Sequence, residues 1–297
     1  MTIFVEVILP VILIFLCGFV LQKVFNLDIK PISTLAVYLL LPFLVFDTFY
    51  TTPLDLSFYY IFISSVLIMA ALIITGVILC RVLKYGRGDI NAFLLSTIFP
   101  NSGNYGIPIA LFAFGKQGVV YAMPLMICHA VLMGIVGIYI AADGQGGAKA
   151  AIRTVLKQPL NYAIIPAVFL QKFQIHIPVN FLKSIELISG TAIPVVMIIL
   201  GMQLANVTVR KMNWRGISLV TFVRLILSPI VAYLICLGFP IDHLLRNVIV
   251  VMAAMPGAAN TTLYAIQFNA KPQFVSSSTL ITTILSILSL TVLLNII

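Results

Sequence analysis

Charge is what this chain has least of. Asp and Glu together number 8 in 297 residues, and charged residues of all types make up only 8%. A soluble domain of this length needs far more polar surface, so a water-exposed globular fold is excluded. Cysteines are few and scattered: Cys17, Cys80, Cys128 and Cys236 fall singly in separate apolar segments. That spacing supports neither a disulfide frame nor a metal site, and packing is their expected role. Met1 to Glu6 shows no basic n-region, and no small-residue cleavage site follows, so a retained first helix is expected there.

What the chain has is hydrocarbon. Hydrophobic residues make up 62% of it and the mean hydropathy is +1.17. Apolar stretches of spanning length follow one another, separated by short polar links. They predict ten transmembrane helices, spans 1 to 10, over residues 3–22, 33–50, 59–83, 90–114, 118–142, 159–172, 181–205, 214–237, 242–268 and 273–297. Of the 17 Lys and Arg residues, 12 fall in links on one side: Lys23, Lys30, Arg81, Lys84, Arg87, Lys149, Arg153, Lys157, Arg210, Lys211, Arg215 and Lys271. Only Lys116, Lys172, Lys183 and Arg246 fall on the other. The positive-inside rule then puts both termini outside a plasma membrane. The net charge of +9 therefore reports topology and contact with membrane lipid, with no nucleic-acid partner implied.

Two spans are interrupted. Pro100-Asn101-Ser102-Gly103-Asn104-Tyr105-Gly106-Ile107-Pro108 cannot continue a regular helix, and neither can Met255-Pro256-Gly257-Ala258-Ala259-Asn260-Thr261-Thr262. Unpaired backbone at membrane depth survives only where it lines a cavity or is buried in protein. Pro100 with Asn104 and Pro256 with Asn260 repeat at one spacing, 256 − 100 = 260 − 104 = 156 residues, as do Gln117 and Gln273. Each half holds five spans, an odd number, so the second half is inverted relative to the first. The expected organisation is a first repeat over residues 1–142, a cytoplasmic linker over 143–158 with Gly144-Gln145-Gly146-Gly147, and a second repeat over 159–297. Broken helices paired in this way place a binding site near the bilayer midplane, where they cross.

Asn101, Gly103, Asn104, Gly106 and Pro108 in span 4, with Pro256 and Asn260 in span 9, resemble the motifs of the auxin efflux carrier family of membrane transporters. The resemblance covers the whole chain. It implies a fold related to the bile-acid/sodium symporters, with a scaffold of spans 1, 2, 6 and 7 and a transport domain of spans 3–5 and 8–10. It also implies elevator-type motion, a homodimer, and carboxylate substrates such as malate or malonate in bacterial members. The long cytoplasmic loop of the long plant auxin exporters is missing, so auxin itself does not follow.

Second half-helices starting near Tyr105 and Thr261 would aim their positive ends at the crossing, which suits a carboxylate. Asn101, Ser102, Asn104, Tyr105, Asn260, Thr261 and Thr262 are the expected substrate ligands, unless the asparagines only cap the helix ends. Pro100, Gly103, Gly106, Pro108, Pro256 and Gly257 would form the crossover. Arg224, a cation deep in span 8, joins the substrate ligands or pairs structurally. Asp47 and His129 are the evident proton carriers; the family resemblance places an acidic residue beside the site at Asp47, and sodium coupling stays open. The Ser/Thr row on span 10, from Ser276 to Ser286, glues helices together or helps hold a cation.

Two catalytic look-alikes fail. Gly86-Arg87-Gly88-Asp89 fits the Gly-x-Gly-Asp pattern of intramembrane aspartyl proteases, but Asp89 falls at a helix start and its second carboxylate is missing. Gly144 to Lys149 lacks the Walker spacing. The chain thus reads as an all-α secondary transporter of a small organic anion, a dicarboxylate or an auxin-like carboxylate. It needs no cofactor, no metal and no covalent chemistry, and couples to a proton or sodium gradient. The alternative is a membrane-embedded anion sensor or channel-like protein without coupled transport.

Overall fold

The computed structural model describes residues 3–52, 56–143, 156, 158–206 and 213–297. Most of the expected linker, with Lys149, Arg153 and Lys157, lies outside the described residues, as do Arg210 and Lys211. The regular elements are helices: α1 (Phe4–Phe25), α2 (Ile29–Thr51), α3 (Leu56–Val82), α4 (Arg87–Thr97), α5 (102–114), α6 (116–141), α7 (Pro159–Lys172), α8 (Val179–Ala205), α9 (Trp214–Cys236), α10 (His243–Ala253), α11 (Ala259–Gln267) and α12 (Pro272–Ile296). Seven stretches among the described residues are long and apolar enough to cross a membrane: α1, α2, α3, the joined α5–α6, α8, α9 and α12.

Local chemistry sets the boundaries. Asp28, Asn213 and Asp242 cap α2, α9 and α10, each accepting a backbone N–H of the first turn at 3.0, 3.2 and 2.7 Å. Asn26 ends α1 in the left-handed conformation, with φ 45°. Pro159 and Pro272 stand in the first turns of α7 and α12, where a missing N–H costs nothing. Asp89 lies in the first turn of α4 rather than capping it; Gly86 holds the cap position. The Asp89 carboxylate pairs with Lys271.

The α5–α6 stretch is 40 residues long, and a straight helix of that length would measure about 60 Å, twice a bilayer core. Gly115, with φ 67° and ψ −160°, breaks it. Interior prolines are absorbed differently. Four of the five π-turns among the described residues end two residues before a proline: Phe4–Ile8 before Pro10, Ala36–Leu40 before Pro42, Ser102–Gly106 before Pro108, and Val223–Leu227 before Pro229. A proline cannot donate to the carbonyl four residues back and its ring crowds that carbonyl, so the helix widens there.

Two helix groups pack around the interior. α1 lies along α8, while α2 packs on α7 and α8. In the other group α3 packs on α4 and α9, α10 on α5–α6, and α12 on α4, α9 and α11. Leu13, Phe19, Val24, Phe181, Leu187, Leu234 and Leu288 point outward, an apolar exterior suited to lipid. At the α1–α8 contact the backbones touch. A Cβ on Gly18 would lie 2.1 Å from the Ile198 carbonyl oxygen, and one on Gly201 would lie 2.0 Å from that of Phe15. Small residues at such crossings let apolar helices attract by close packing where lipid removes the hydrophobic drive.

Gly18→Ala and Gly201→Ala are therefore expected to destabilise the protein in detergent by about 1–3 kcal/mol each, the usual cost of overpacking. Gly190→Ala, with nothing within 4 Å of the added carbon, serves as the control. Thermal melts that show no difference between the three variants would refute this packing account.

Candidate substrate site

Proline decides the centre of the molecule. Pro100 and Pro256 have no N–H, so the helices before them lose donors and stop at Thr97 and Ala253. The two extended pieces that follow run past each other and pair as an antiparallel bridge, Pro100 against Gly257. Asn101 N–H donates to the Pro256 carbonyl at 2.8 Å, and Ala258 N–H to the Phe99 carbonyl at 2.9 Å. Each break thus satisfies part of the other's backbone. Gly257 N–H goes to the Thr282 hydroxyl of α12 at 3.3 Å.

Arg224 lies behind this bridge, 1% exposed. Its Nε donates to the Met255 carbonyl at 2.9 Å, and its Nη1 to the Thr97 and Ile98 carbonyls at 2.7 and 3.1 Å. Nη2 donates to the Ala253 carbonyl, which also accepts from Ser228 Oγ at 2.8 Å. The guanidinium is committed to backbone, and Arg224 does not line the crossover cavity. Of the two expected roles, this arrangement is the structural pairing with backbone carbonyls.

In front of the bridge is a cavity of about 210 Å³. Pro100, Asn101, Ser102, Gly103 and Asn104 line it from one break and Ala258, Ala259 and Asn260 from the other. α2 and α8 close the far wall with Ser33 and Gln203 among others, and Gln158, His129 and Tyr264 complete the polar lining. Helices α5 and α11 start at Ser102 and Ala259, earlier than Tyr105 and Thr261, so Asn104 and Asn260 sit within first turns at the cavity wall. The π-turn over Ser102–Gly106 absorbs Pro108 and allows the early start.

Buried Asn101 has an Nδ2 without a hydrogen-bond partner, and Gln158 and Gln203 each have an unpartnered buried Oε1. Ser102 Oγ lies 2.6 Å from His129 Nδ1, which ties the break to α6.

Three further expected ligands point elsewhere. Tyr105 is buried against Phe15, ring centroids 5.1 Å apart, and its hydroxyl accepts from Ser286 Oγ at 3.1 Å. Thr261 is fully buried and its Oγ1 donates to the Ala258 carbonyl at 2.8 Å. Neither lines the cavity, nor does Thr262. The π-turn and the helix start at Ala259 turn Tyr105 and Thr261 into the packed interior, while Thr262 is half-buried. Gly106, Pro108, Pro256 and Gly257 shape the backbone from outside the cavity lining, whereas Pro100 and Gly103 belong to it.

The α12 hydroxyls of Ser277, Ser278, Thr279, Thr282, Thr283 and Ser286 are buried. Those of Thr282, Thr283 and Ser286 bond back to their own helix, and Ser286 also reaches Tyr105.

Asp47 stands apart from the crossover. Its Oδ2 accepts from Ser189 Oγ at 2.9 Å, and it lines a second cavity of about 630 Å³ with Lys116, Glu186, Thr48 and Thr51. Along α2 the crossover cavity reaches from Ser33 to Leu41 and the second from Leu44 to Thr52. Along α8 they reach Val196–Gln203 and Glu186–Met197. The two cavities thus lie end to end along α2 and α8. Sequence reasoning missed Gln158, Gln203 and Tyr264; Gln203, a lone amide in an apolar helix, was the readable signal.

Comparison with known proteins agrees with this architecture. The profile of the membrane transport protein family matches residues 3–294. An uncharacterized transporter of Methanocaldococcus jannaschii is 24% identical over 295 residues, covering 95% of each chain. A second uncharacterized transporter, from Methanothermobacter thermautotrophicus, is 27% identical and covers 96% of this chain and 95% of its own. A Rhizobium meliloti protein named "Putative malonate transporter" is 26% identical over 282 residues, 90% of this chain and 86% of its own. With the profile running nearly end to end over a bundle of apolar helices, this chain belongs to the membrane transport protein family, the auxin efflux carriers, and is a multi-pass membrane protein.

Proposed function

We propose that the protein is a secondary transporter that carries a small organic anion, with the carboxylate held at the crossover cavity. One observation carries the reading: Asn101 keeps a buried Nδ2 without a partner at a cavity enclosed by both helix breaks. A buried donor left unpaired costs about 1–3 kcal/mol, and a carboxylate oxygen removes that cost. Asn104 and Asn260 add neutral donors on the same wall, and the starts of α5 and α11 add the positive ends of two helix dipoles. The malonate in the name of the Rhizobium relative makes short dicarboxylates the first substrates to test.

The transport cycle follows from the proposed topology of ten spans in two inverted repeats. With both termini outside the plasma membrane, the crossover cavity, walled by Ser33, Gln158 and Gln203, faces the cytoplasm, and the cavity at Asp47 faces outward. The group containing α1, α2, α7 and α8 serves as scaffold, and sliding of the other group would carry the site from one cavity toward the other.

His129 is the proposed proton carrier. It lines the crossover cavity, bonds Ser102, and shares a small cavity behind the bridge with Arg224 and Ser65. Arg224 on α9 is the charged group beside it there, and Tyr264 on α11 is the other titratable group on the crossover cavity. A proton on His129 would fix its ring as donor toward Ser102 and change the wall that the anion meets.

Counterflow of labelled malonate, malate and succinate in proteoliposomes tests the main claim. Saturable exchange is expected, with Asn101→Ala, Asn104→Ala and Asn260→Ala each losing about tenfold or more in kcat/KM. Binding of a dicarboxylate by the folded protein without exchange would replace the transporter with the sensor. For coupling, uptake is expected to rise when the outside is acidified at fixed membrane potential. His129→Gln should flatten that profile whatever its effect on rate; a retained pH response in this variant would remove His129 from the coupling path.

A further inference from the structure

We propose that the Arg224 guanidinium is a tethered cation that fills the position between the two broken helices where a carrier of this architecture would otherwise need a dissolved alkali ion. The consequence for coupling rests on the transporter reading above; the tethered-cation assignment itself does not.

In a continuous helix the carbonyls of Thr97, Ile98, Ala253 and Met255 would accept from the N–H groups four residues on. Three of those donors have gone elsewhere: Asn101 N–H to Pro256, Ser102 N–H to Pro100, and Gly257 N–H to Thr282. The four carbonyls that Arg224 contacts are thus at the stripped ends of α4 and α10. Each helix end also carries the negative pole of its dipole, about half an elementary charge, so two facing ends amount to about one. A single guanidinium matches that charge and supplies five N–H donors in a fixed plane.

Geometry excludes a role as a substrate ligand. Four hydrogen bonds use Nε and both terminal nitrogens, and the residue is 1% exposed. The cavity that it does line, with His129 and Ile68, measures about 20 Å³, room for about one water. The position also follows the repeat. Thr97 and Ala253, both bound by the guanidinium, are 253 − 97 = 156 residues apart, the spacing of the two prolines. At that spacing the counterpart of Arg224 in the first half is Ile68 (224 − 156 = 68), on the wall of the same small cavity. One half supplies the cation for both.

Half-helix C-terminal ends and unwound carbonyls are the groups that coordinate transported sodium in carriers with broken helices. Here the same class of oxygen is already saturated by a covalent cation. The oxygens still free nearby are the Ser278 and Thr279 hydroxyls of α12. Thr279 Oγ1 lies 3.6 Å, and the Ser96 carbonyl 3.2 Å, from where a Cβ on Gly257 would be. A sodium ion on them would sit at the same pair of helix ends, against the guanidinium charge.

Melting of the purified protein tests the assignment without reference to transport. Arg224→Ala is expected to lower Tm by about 5–10 °C, as for a broken buried network. About 10 mM guanidinium should restore at least half of that loss, and equal N-methylglucamine none; wild type should respond to neither. A loss with no guanidinium recovery, or no loss at all, would overturn the assignment. Should Arg224→Ala not fold, Arg224→Lys is compared with Arg224→Met: Lys keeps the charge and should melt higher, and equal stability would overturn it. For the consequence, wild-type counterflow should be equal in sodium and in N-methylglucamine media at fixed pH, and stimulation by sodium would overturn it. If no carboxylate is exchanged in any medium, the transporter reading fails while the melting result still decides the role of Arg224.

Discussion

Backbone carbonyls without donors in the middle of an apolar bundle are the constraint that the rest of the structure answers. Pro100 and Pro256 interrupt α4 and α10, and the N–H groups of Asn101, Ser102 and Gly257, which would have served the last carbonyls, bond to Pro256, Pro100 and Thr282 instead. Water is not there to hydrogen-bond them, so protein must. The chain answers with three devices: the breaks pair with each other, Arg224 spans both helix ends, and α12 presents hydroxyls to the crossing. A cavity in front of the bridge then remains with donors to spare.

The division of labour between the two sides of the bridge is chemical. Behind it, a permanent charge is fully spent on permanent partial charges. In front of it, neutral amides face a cavity, and neutral donors are cheaper to desolvate than charged ones when the site is empty.

Glycine and proline do opposite work in the two helix groups. Between α1 and α8, Gly18 and Gly201 remove side chains so that backbones meet and the pair stays locked. Around the crossover, Pro108 and Pro229 follow π-turns that re-aim the helices carrying Asn104 and Arg224.

The positions of the helices, the two breaks and the spacing of 156 that relates them were legible in the sequence, because hydropathy and proline act locally and need no partner. Asn101, Asn104 and Asn260 could be named for the same reason: they flank the breaks, and the cavity is where the breaks are. Which way the neighbouring side chains face was not legible. Tyr105 and Thr261 turn inward because α5 opens with a π-turn and α11 begins at Ala259, and a shift of one or two residues rotates a helical side chain by about 100–200°. Gln158 and Gln203 reach the cavity only through the packing of distant helices. Arg224 could be recognised as anomalous from its depth alone, but its partners are carbonyls on α4 and α10 and in the breaks that follow them, brought together by the crossing itself. Composition and periodicity determined which segments are helices and where they fail; only tertiary contact decided what each failure is bonded to.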